Sequence, residues 1–235
     1  MLFAEQGCSL ILVARRVSKL IEVREELGQL FPSIQVQIEE CDVSDLRSVE
    51  EMVKRLQGID IDILVNNAGL ALGVDTGDRV NLHDTRTMIE TNVLGPIALV
   101  NGLAPAMRAR NSGDIVNISS VAASDHYSGG AIYCATKAAL DAFSDCLRMD
   151  LVETDIRVIS VNPGLVSGTE FSFVRFKGDH SKASQPYKGI ECLTAMDIAD
   201  QIVYAVTRPN NVQIAEIKSY CNQQGHAKYV FSRRE

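Results

Sequence analysis

The sequence predicts a doubly wound α/β domain, a parallel sheet with helices on both faces. Three observations predict it. Short apolar runs alternate with amphipathic segments, those segments are long enough for crossover helices, and polar or glycine-rich punctuation follows each run. The chain has 235 residues, 46% hydrophobic and 23% charged, which suits one globular domain over 1–235.

Residues 8–15, CSLILVAR, form a continuous apolar run and are expected as a strand buried on both faces. Val17, Leu20, Ile21, Leu27 and Leu30 recur at helical spacing, so 17–31 is a helix. The alternating IQVQIEE at 34–40 is a strand nearer a sheet edge. A helix opens at Ser44 or Asp45, both good caps, and closes at Gly58. IDILVNNAG at 61–69 is a buried strand running into a turn. Residues 82–110 are one long helix or two joined ones, kinked at Gly95-Pro96. A strand at 113–120, a helix at 130–153 and a strand at 156–164 follow. Residues 165–193 are expected to be irregular, then a helix at 195–208 and a last strand at 212–218.

In such sheets ligands bind outside the carboxyl ends of the strands. The chemistry-bearing residues stand there. Arg15 and Arg16 follow the first run, Asp42 the second, Asn67, Ala68 and Gly69 the third, Ser119 and Ser120 the fourth, Pro163 and Gly164 the fifth. Arg15 and Arg16 suit a ribose 2′-phosphate, which favours NADP over NAD; the alternative is a solvated basic pair. Asp42 either accepts from an adenine amino group or caps a helix. Glycine at 69 lets backbone approach a flat ligand.

Ser120, Tyr133 and Lys137 read Ser-x12-Tyr-x3-Lys. Tyrosine and lysine four apart share one helix face, and a neighbouring ammonium draws a phenol down from its usual value of about 10. The serine hydroxyl can hold a carbonyl or alcohol oxygen. That is proton-transfer chemistry at an oxygen-bearing carbon, which calls for a nicotinamide hydride partner. Asn92, mid-helix, either holds a water near the lysine or is a buried asparagine bonding backbone. In 162–171, Val166, Ser167 and Thr169 can meet the nicotinamide carboxamide. Arg175 and Lys177, beside it, suit a carboxylate-bearing substrate under a lid, or are simply solvated.

NNAG at 66–69, Asn92, Ser120, Tyr133-x3-Lys137 and NPG at 162–164 resemble, in order and spacing, the short-chain dehydrogenase/reductase family. The resemblance implies a Rossmann-like fold, Tyr133 as general acid/base, Ser120 orienting the substrate oxygen, Lys137 on the tyrosine and the nicotinamide ribose, and Asn92 in a water relay. LVARR, PGLVSGTEFSFVRFKGD and NQQGHAKYVF are most similar to the NADP-dependent 3-hydroxy acid dehydrogenases, the group that oxidises serine or allo-threonine. The substrate is then a small 3-hydroxy acid met by the loop at 165–193. Association as a homotetramer or homodimer through helices 82–110 and 130–153 is implied too. The family opens with a strand and a Thr-Gly-x3-Gly-x-Gly turn, and no such motif stands here. The fold is therefore expected to lack its first strand, leaving the strands at 8–15 and 61–66 with open edges. Two alternatives stay open: a truncated remnant that binds no nucleotide, and an NADPH-dependent carbonyl reductase of apolar ketones.

Composition bounds the rest. A net charge of −7 argues against a nucleic-acid partner. There is no apolar run of about 18 residues, and MLFAEQGC lacks the build of a signal peptide. The six cysteines and four histidines are scattered, so neither a metal site nor a disulfide framework is expected, and a reducing cytoplasm fits.

Overall fold

The computed structural model describes residues 1–232. A short helix α1 (Leu2–Glu5) leads to β1 (Leu10–Ala14), α2 (Val17–Leu30), β2 (Val36–Glu40), α3 (Leu46–Arg55) and β3 (Ile63–Asn66). Then come α4 (Leu82–Ile89), a π-turn (Glu90–Leu94), α5 (Gly95–Arg110), β4 (Gly113–Ile118), α6 (Ala131–Asp150) and β5 (Ile156–Pro163). The chain closes with α7 (Phe171–Arg175), α8 (His180–Ser184), α9 (Ala195–Val206), β6 (Glu216–Ser219), β7 (Gln224–His226) and β8 (Tyr229–Val230).

β3, β4, β5 and β6 form one parallel sheet in that order, while β1 and β2 form a separate parallel pair. No ladder joins β1 to β3, so each keeps one edge without backbone partners among the described strands. The consequence shows in burial. β5 is buried along its whole length, yet β1 is only half-buried and Val13 is 39% exposed. The expectation of a first run buried on both faces is thus corrected, because a strand paired on one side cannot be covered like a central one.

Apolar residues of adjacent sheet positions point to opposite faces. Ile115 and Val158 pack with Val49, Met52, Leu99 and Met107 of α3 and α5, and Ile11 of β1 joins the same cluster. Val116, Ile159 and Val161 pack with Ile198 and Ile202 of α9 on the other face, and Phe3 of α1, Ile63 and Val65 pack against the same cluster. The helix starts obey capping rules: Asp45 accepts from Arg47 N, Asn81 from His83 N and Asp84 N, and Thr194 with Asp197 makes a capping box.

Three expectations change. The long helix at 82–110 is interrupted not at Gly95-Pro96 but by the π-turn just before it, which carries Asn92. The stretch 165–193 contains α7 and α8 rather than being wholly irregular. The last strand sits at Glu216–Ser219, and a hairpin, β7 and β8, follows it. The hairpin strands are too short for periodicity to reveal.

Arg157 on β5 is a buried cation of the sheet. It forks onto both Asp114 oxygens at 2.6 and 2.9 Å and donates to the carbonyls of Val206, Arg208 and Val212. Removing one member strands the other in low dielectric. Asp114→Ala is expected to cost about 3–5 kcal/mol in urea unfolding. A loss within about 0.5 kcal/mol, the surface-substitution range, would show that the pair does not anchor α9 to the sheet.

Candidate active site

The carboxyl ends of β3, β4 and β5 bring most of the expected residues together. Asn67, Ala68 and Gly69 are exposed at the end of β3, backbone available to a ligand. Asn66, beside them, is buried and donates to Asn117 Oδ1 at 2.8 Å, so it braces the sheet. Its own Oδ1 is buried without a partner among the described residues. Ser120 accepts from Ala122 N at 3.1 Å, capping a 3-10 turn, and donates to Pro163 O at 3.4 Å. Ser119 donates to the Lys137 carbonyl at 3.2 Å, and is the structural neighbour rather than the group facing the tyrosine.

Tyr133 and Lys137 stand one turn apart at the start of α6. Lys137 is buried, and its ammonium donates to Ile118 O at 2.7 Å. It lies 5.9 Å from the Tyr133 ring centroid. Burial pushes Lys137 down to about 8, with Asp141 working against that. The Tyr133 phenol is raised, not lowered: burial dominates, and the Ser120 hydroxyl and Arg175 pull the other way without matching it. The expected depression by Lys137 is corrected. The ammonium is aimed at a carbonyl of β4, and desolvation penalises charge on both groups. Phe171 closes over the site, edge-on to Tyr133 at 5.6 Å.

Asn92 is fully buried. Its Oδ1 accepts from Leu70 N at 2.9 Å, and its amide donates to Leu70 O at 2.8 Å and to Thr136 Oγ1 at 3.0 Å. Both donors are spent, so the side chain cross-links the loop after β3 to α6. A Cβ on Gly69 would sit 3.3 Å from Lys137 Nζ and 3.4 Å from Asn92 Oδ1, so glycine keeps the space between them open. Gly164 is required for a different reason: Gln224 Oε1 occupies the place of a Cβ while accepting from Leu165 N at 2.8 Å. That ties the loop after β5 to the terminal hairpin.

At the other end, Arg15 leans on Asp42 at 3.6 Å and Arg16 forks onto Glu170 at 3.0 and 2.5 Å. All four are exposed or half-exposed, and Asp45 takes the cap that Asp42 was offered for. Asp42 instead binds Ser44, through N–H at 3.0 Å and Oγ at 2.7 Å. The groove beyond Arg15 is lined by Glu39, Glu40, Asp45 and Glu51 as well as Arg55. Arg55 is spent on Glu39 at 2.8 Å, so Arg15 and Arg16 on the rim are the cations this end offers a phosphate.

The loop after β5 folds back over the crevice. Val166 bridges to Leu193, and Thr169 Oγ1 accepts from Phe171 N at 3.4 Å. Arg175, expected as a loop cation, is buried. It donates to Gly73 O at 3.2 Å, Tyr127 OH at 3.0 Å and Gly129 O at 3.0 Å. Lys177 pairs with Asp84 at 2.7 Å. Beside Tyr133 and Arg175 the remaining cavity, walled by Leu72, Met88 and Ile132, holds about 20 Å³, roughly one water. Sequence reasoning missed Tyr127, Phe171 and Glu170. Their positions carry no spacing signal, since Tyr127 reaches the site from the loop before α6 and Glu170 and Phe171 from the start of α7.

Among the described residues no cluster of His, Cys, Asp or Glu could hold a metal ion, and no helix is long and apolar enough to cross a membrane. A family model, short chain dehydrogenase, matches residues 1–178. The chain is 44% identical over 227 residues to an NADP-dependent 3-hydroxy acid dehydrogenase of Schizosaccharomyces pombe (strain 972 / ATCC 24843), covering 96% of this chain and 87% of that one. It is 41% identical over 227 residues to the enzyme of the same description from Escherichia coli (strain K12), covering 96% and 90%. A solved closed form of serine dehydrogenase complexed with NADP+ superposes with a TM-score of 0.91 at 40% identity, over 99% of this chain and 92% of that one. Joined to the serine, tyrosine and lysine gathered at the end of β4, these likenesses lead to one conclusion: the chain belongs to the short-chain dehydrogenase family.

Proposed function

We propose that this chain is an NADP-dependent oxidoreductase acting on the hydroxyl-bearing carbon of a small 3-hydroxy acid, serine or allo-threonine being the model substrates. The observation that carries the reading is the convergence of Ser120, Tyr133 and Lys137 at the carboxyl end of β4, with Phe171 edge-on to the tyrosine ring. The relatives' shared description supports NADP, and so does the basic rim at Arg15 and Arg16.

The residues present fit the cofactor. Lys137 has one acceptor for three ammonium N–H groups, and Gly69 leaves open space beside it. These two, with Tyr133 and Asn92, would hold the nicotinamide ribose. Asn67, Ala68, Pro163, Gly164, Val166 and Thr169 would line the nicotinamide. Arg15 and Arg16 would take the 2′-phosphate, displacing Asp42 and Glu170, with Asp42 near the adenine. Bound NADP(H) supplies the hydride acceptor or donor; the chain handles the proton.

Ser120 holds the substrate oxygen next to the Tyr133 hydroxyl. In oxidation Tyr133 must first give up its own proton to solvent, and as phenolate it then takes the substrate O–H proton; in reduction the neutral phenol gives its proton to the carbonyl oxygen. Burial keeps Tyr133 protonated at neutral pH, so the apo site is set for the donor role. The loop at 165–193 acts as its lid. Leu94, Met149 and Val152, exposed on or just after α5's lead-in and α6, support pairing of copies through helices 82–110 and 130–153.

Titration with NADPH and NADH on a folded sample, read by cofactor fluorescence and circular dichroism, tests the reading first. NADPH-selective binding supports it; a folded chain that binds neither would make it a non-catalytic family member. Tyr133→Phe is expected to lower kcat for serine by about 10²–10⁴-fold with the circular-dichroism spectrum unchanged. Wild-type turnover in that variant would remove Tyr133 from the chemistry.

Lys137 gives a pH signature. Below about pH 8 both folded and unfolded chains hold its proton, and burying the charge costs its full value. Between about 8 and 10.5 the unfolded chain alone holds the proton, so this contribution makes stability rise with pH. Lys137→Met removes it. The variant's advantage over wild type is expected to shrink by about 3 kcal/mol from pH 7.5 to 10.5 in urea unfolding. A constant difference would mean that Lys137 titrates at its ordinary value.

A further inference from the structure

The cations around the crevice divide into two groups. Lys177 rests on Asp84 at 2.7 Å, Lys218 on Asp125 at 2.8 Å, and Arg16 on Glu170. Arg175 and Lys228 have no carboxylate partner among the described residues, and the two are brought together at one aromatic ring. Arg175 Cζ lies 5.6 Å from the Tyr127 ring centroid, and Lys228 Nζ lies 4.9 Å from it. The same guanidinium is 6.0 Å from the centroid of Tyr133. Like charges gathered without an anion are unfavourable, and such a gathering persists where a ligand supplies the missing charge.

We propose that Lys228, on the two-residue turn between β7 and β8, and Arg175 together receive the carboxylate of the substrate whose hydroxyl Tyr133 and Ser120 hold. The assignment rests on the 3-hydroxy acid reading above. Arg175 spends three of its five N–H groups on Gly73, Tyr127 and Gly129, which fixes the guanidinium in place and leaves two N–H groups for an anion. Its own contacts make it a rigid wall. Lys228 is the exposed half, standing on the turn with its ammonium over the Tyr127 ring. Burial and the charge of Arg175 both push Lys228 below the usual lysine range, as expected of two cations sharing one site. In a 3-hydroxy acid the carboxylate is two carbon–carbon bonds from the reacting carbon. A substrate oxygen at Tyr133 then directs the carboxylate past the ring edge toward the guanidinium. The terminal hairpin, pinned through Gln224 to the loop after β5, becomes part of the substrate site.

The test compares L-serine with its methyl ester as substrates for NADP+ reduction by the full chain. Lys228→Met is expected to lower kcat/KM for the acid by about 10–100-fold, through KM, and to change that for the ester less than about twofold. Lys228→Arg is expected to restore the acid. Equal losses on acid and ester, or a loss expressed in the KM for NADP+, overturn the assignment while leaving the oxidoreductase reading intact. A wild type that turns over the ester as well as the acid overturns it too. A wild type that oxidises no 3-hydroxy acid removes the reading and the site together. A second measurement needs no turnover: 3-hydroxybutyrate, but not its methyl ester at matched ionic strength, should raise the melting temperature of wild type and Tyr133→Phe and not of Lys228→Met. An equal upshift in all three would mean that the anion binds elsewhere.

Discussion

The site depends on one polar seam between α6 and the strands beneath it. Tyr133, Lys137, Asp141 and Ser144 fall on one stripe of the helix. Below Tyr133, each member bonds the sheet. The Lys137 ammonium donates to Ile118 O, while the Lys137 carbonyl accepts from Ser119. Asp141 accepts from Ser160 at 2.7 Å and from Asn162 at 2.9 Å. Ser144 accepts from Asn117 at 2.8 Å. Bonds of this kind are costly to leave half made in a buried interface, so they fix the helix against sliding and rotation. An apolar contact would hold α6 near the sheet; this seam holds it in register, and the phenol inherits that register.

The same burial that gives the seam its strength sets the titration of the site. Tyr133 is raised and Lys137 is pushed down to about 8 for a single reason, the cost of charge away from water. An apo site of this kind stores its protons as neutral phenol and reluctant ammonium. Around it, two ion pairs tie the segment after β5 to the rest of the domain. Arg16 with Glu170 and Lys177 with Asp84 reach from the body of the domain to the segment after β5. The first is exposed on both sides and is worth little, so it can open and re-form. The buried Arg175, with three acceptors from two other loops, is the fixed root about which such motion would occur.

The split between β1–β2 and the four-strand sheet is the other constraint on this fold. The backbone of β1 carries no ladder toward β3, yet Ile11 shares a cluster with Leu64 and Ile115, and Phe3 shares one with Ile63 and Val65. Side-chain packing therefore keeps the first pair in place without hydrogen bonds between the sheets. The half-burial of β1 is the visible cost of that arrangement.

Most of the fold was legible because its signals are local. The apolar runs, their spacing and the caps at Asp45 and Thr194 act within a few residues, and the order of runs and helices leaves little choice but a parallel sheet. Ser120, Tyr133 and Lys137 were legible too, since a helix turns i and i+4 to one side whatever surrounds it. What the sequence could not decide is whatever depends on which distant loops meet. Asn92 stands on a π-turn with its amide spent on Leu70 and Thr136; Arg175 is a buried clamp, not a surface cation; Lys228 arrives from a hairpin too short to announce itself. Charge state belongs to the same class. Spacing alone argued for a lowered phenol, and only the packed structure, where desolvation outweighs a neighbouring charge, showed it raised. The sequence by itself determined the elements and singled out Ser120, Tyr133 and Lys137. The tertiary structure decided their burial, their partners and their protonation, because desolvation and long-range contact exist only once the chain has closed on itself.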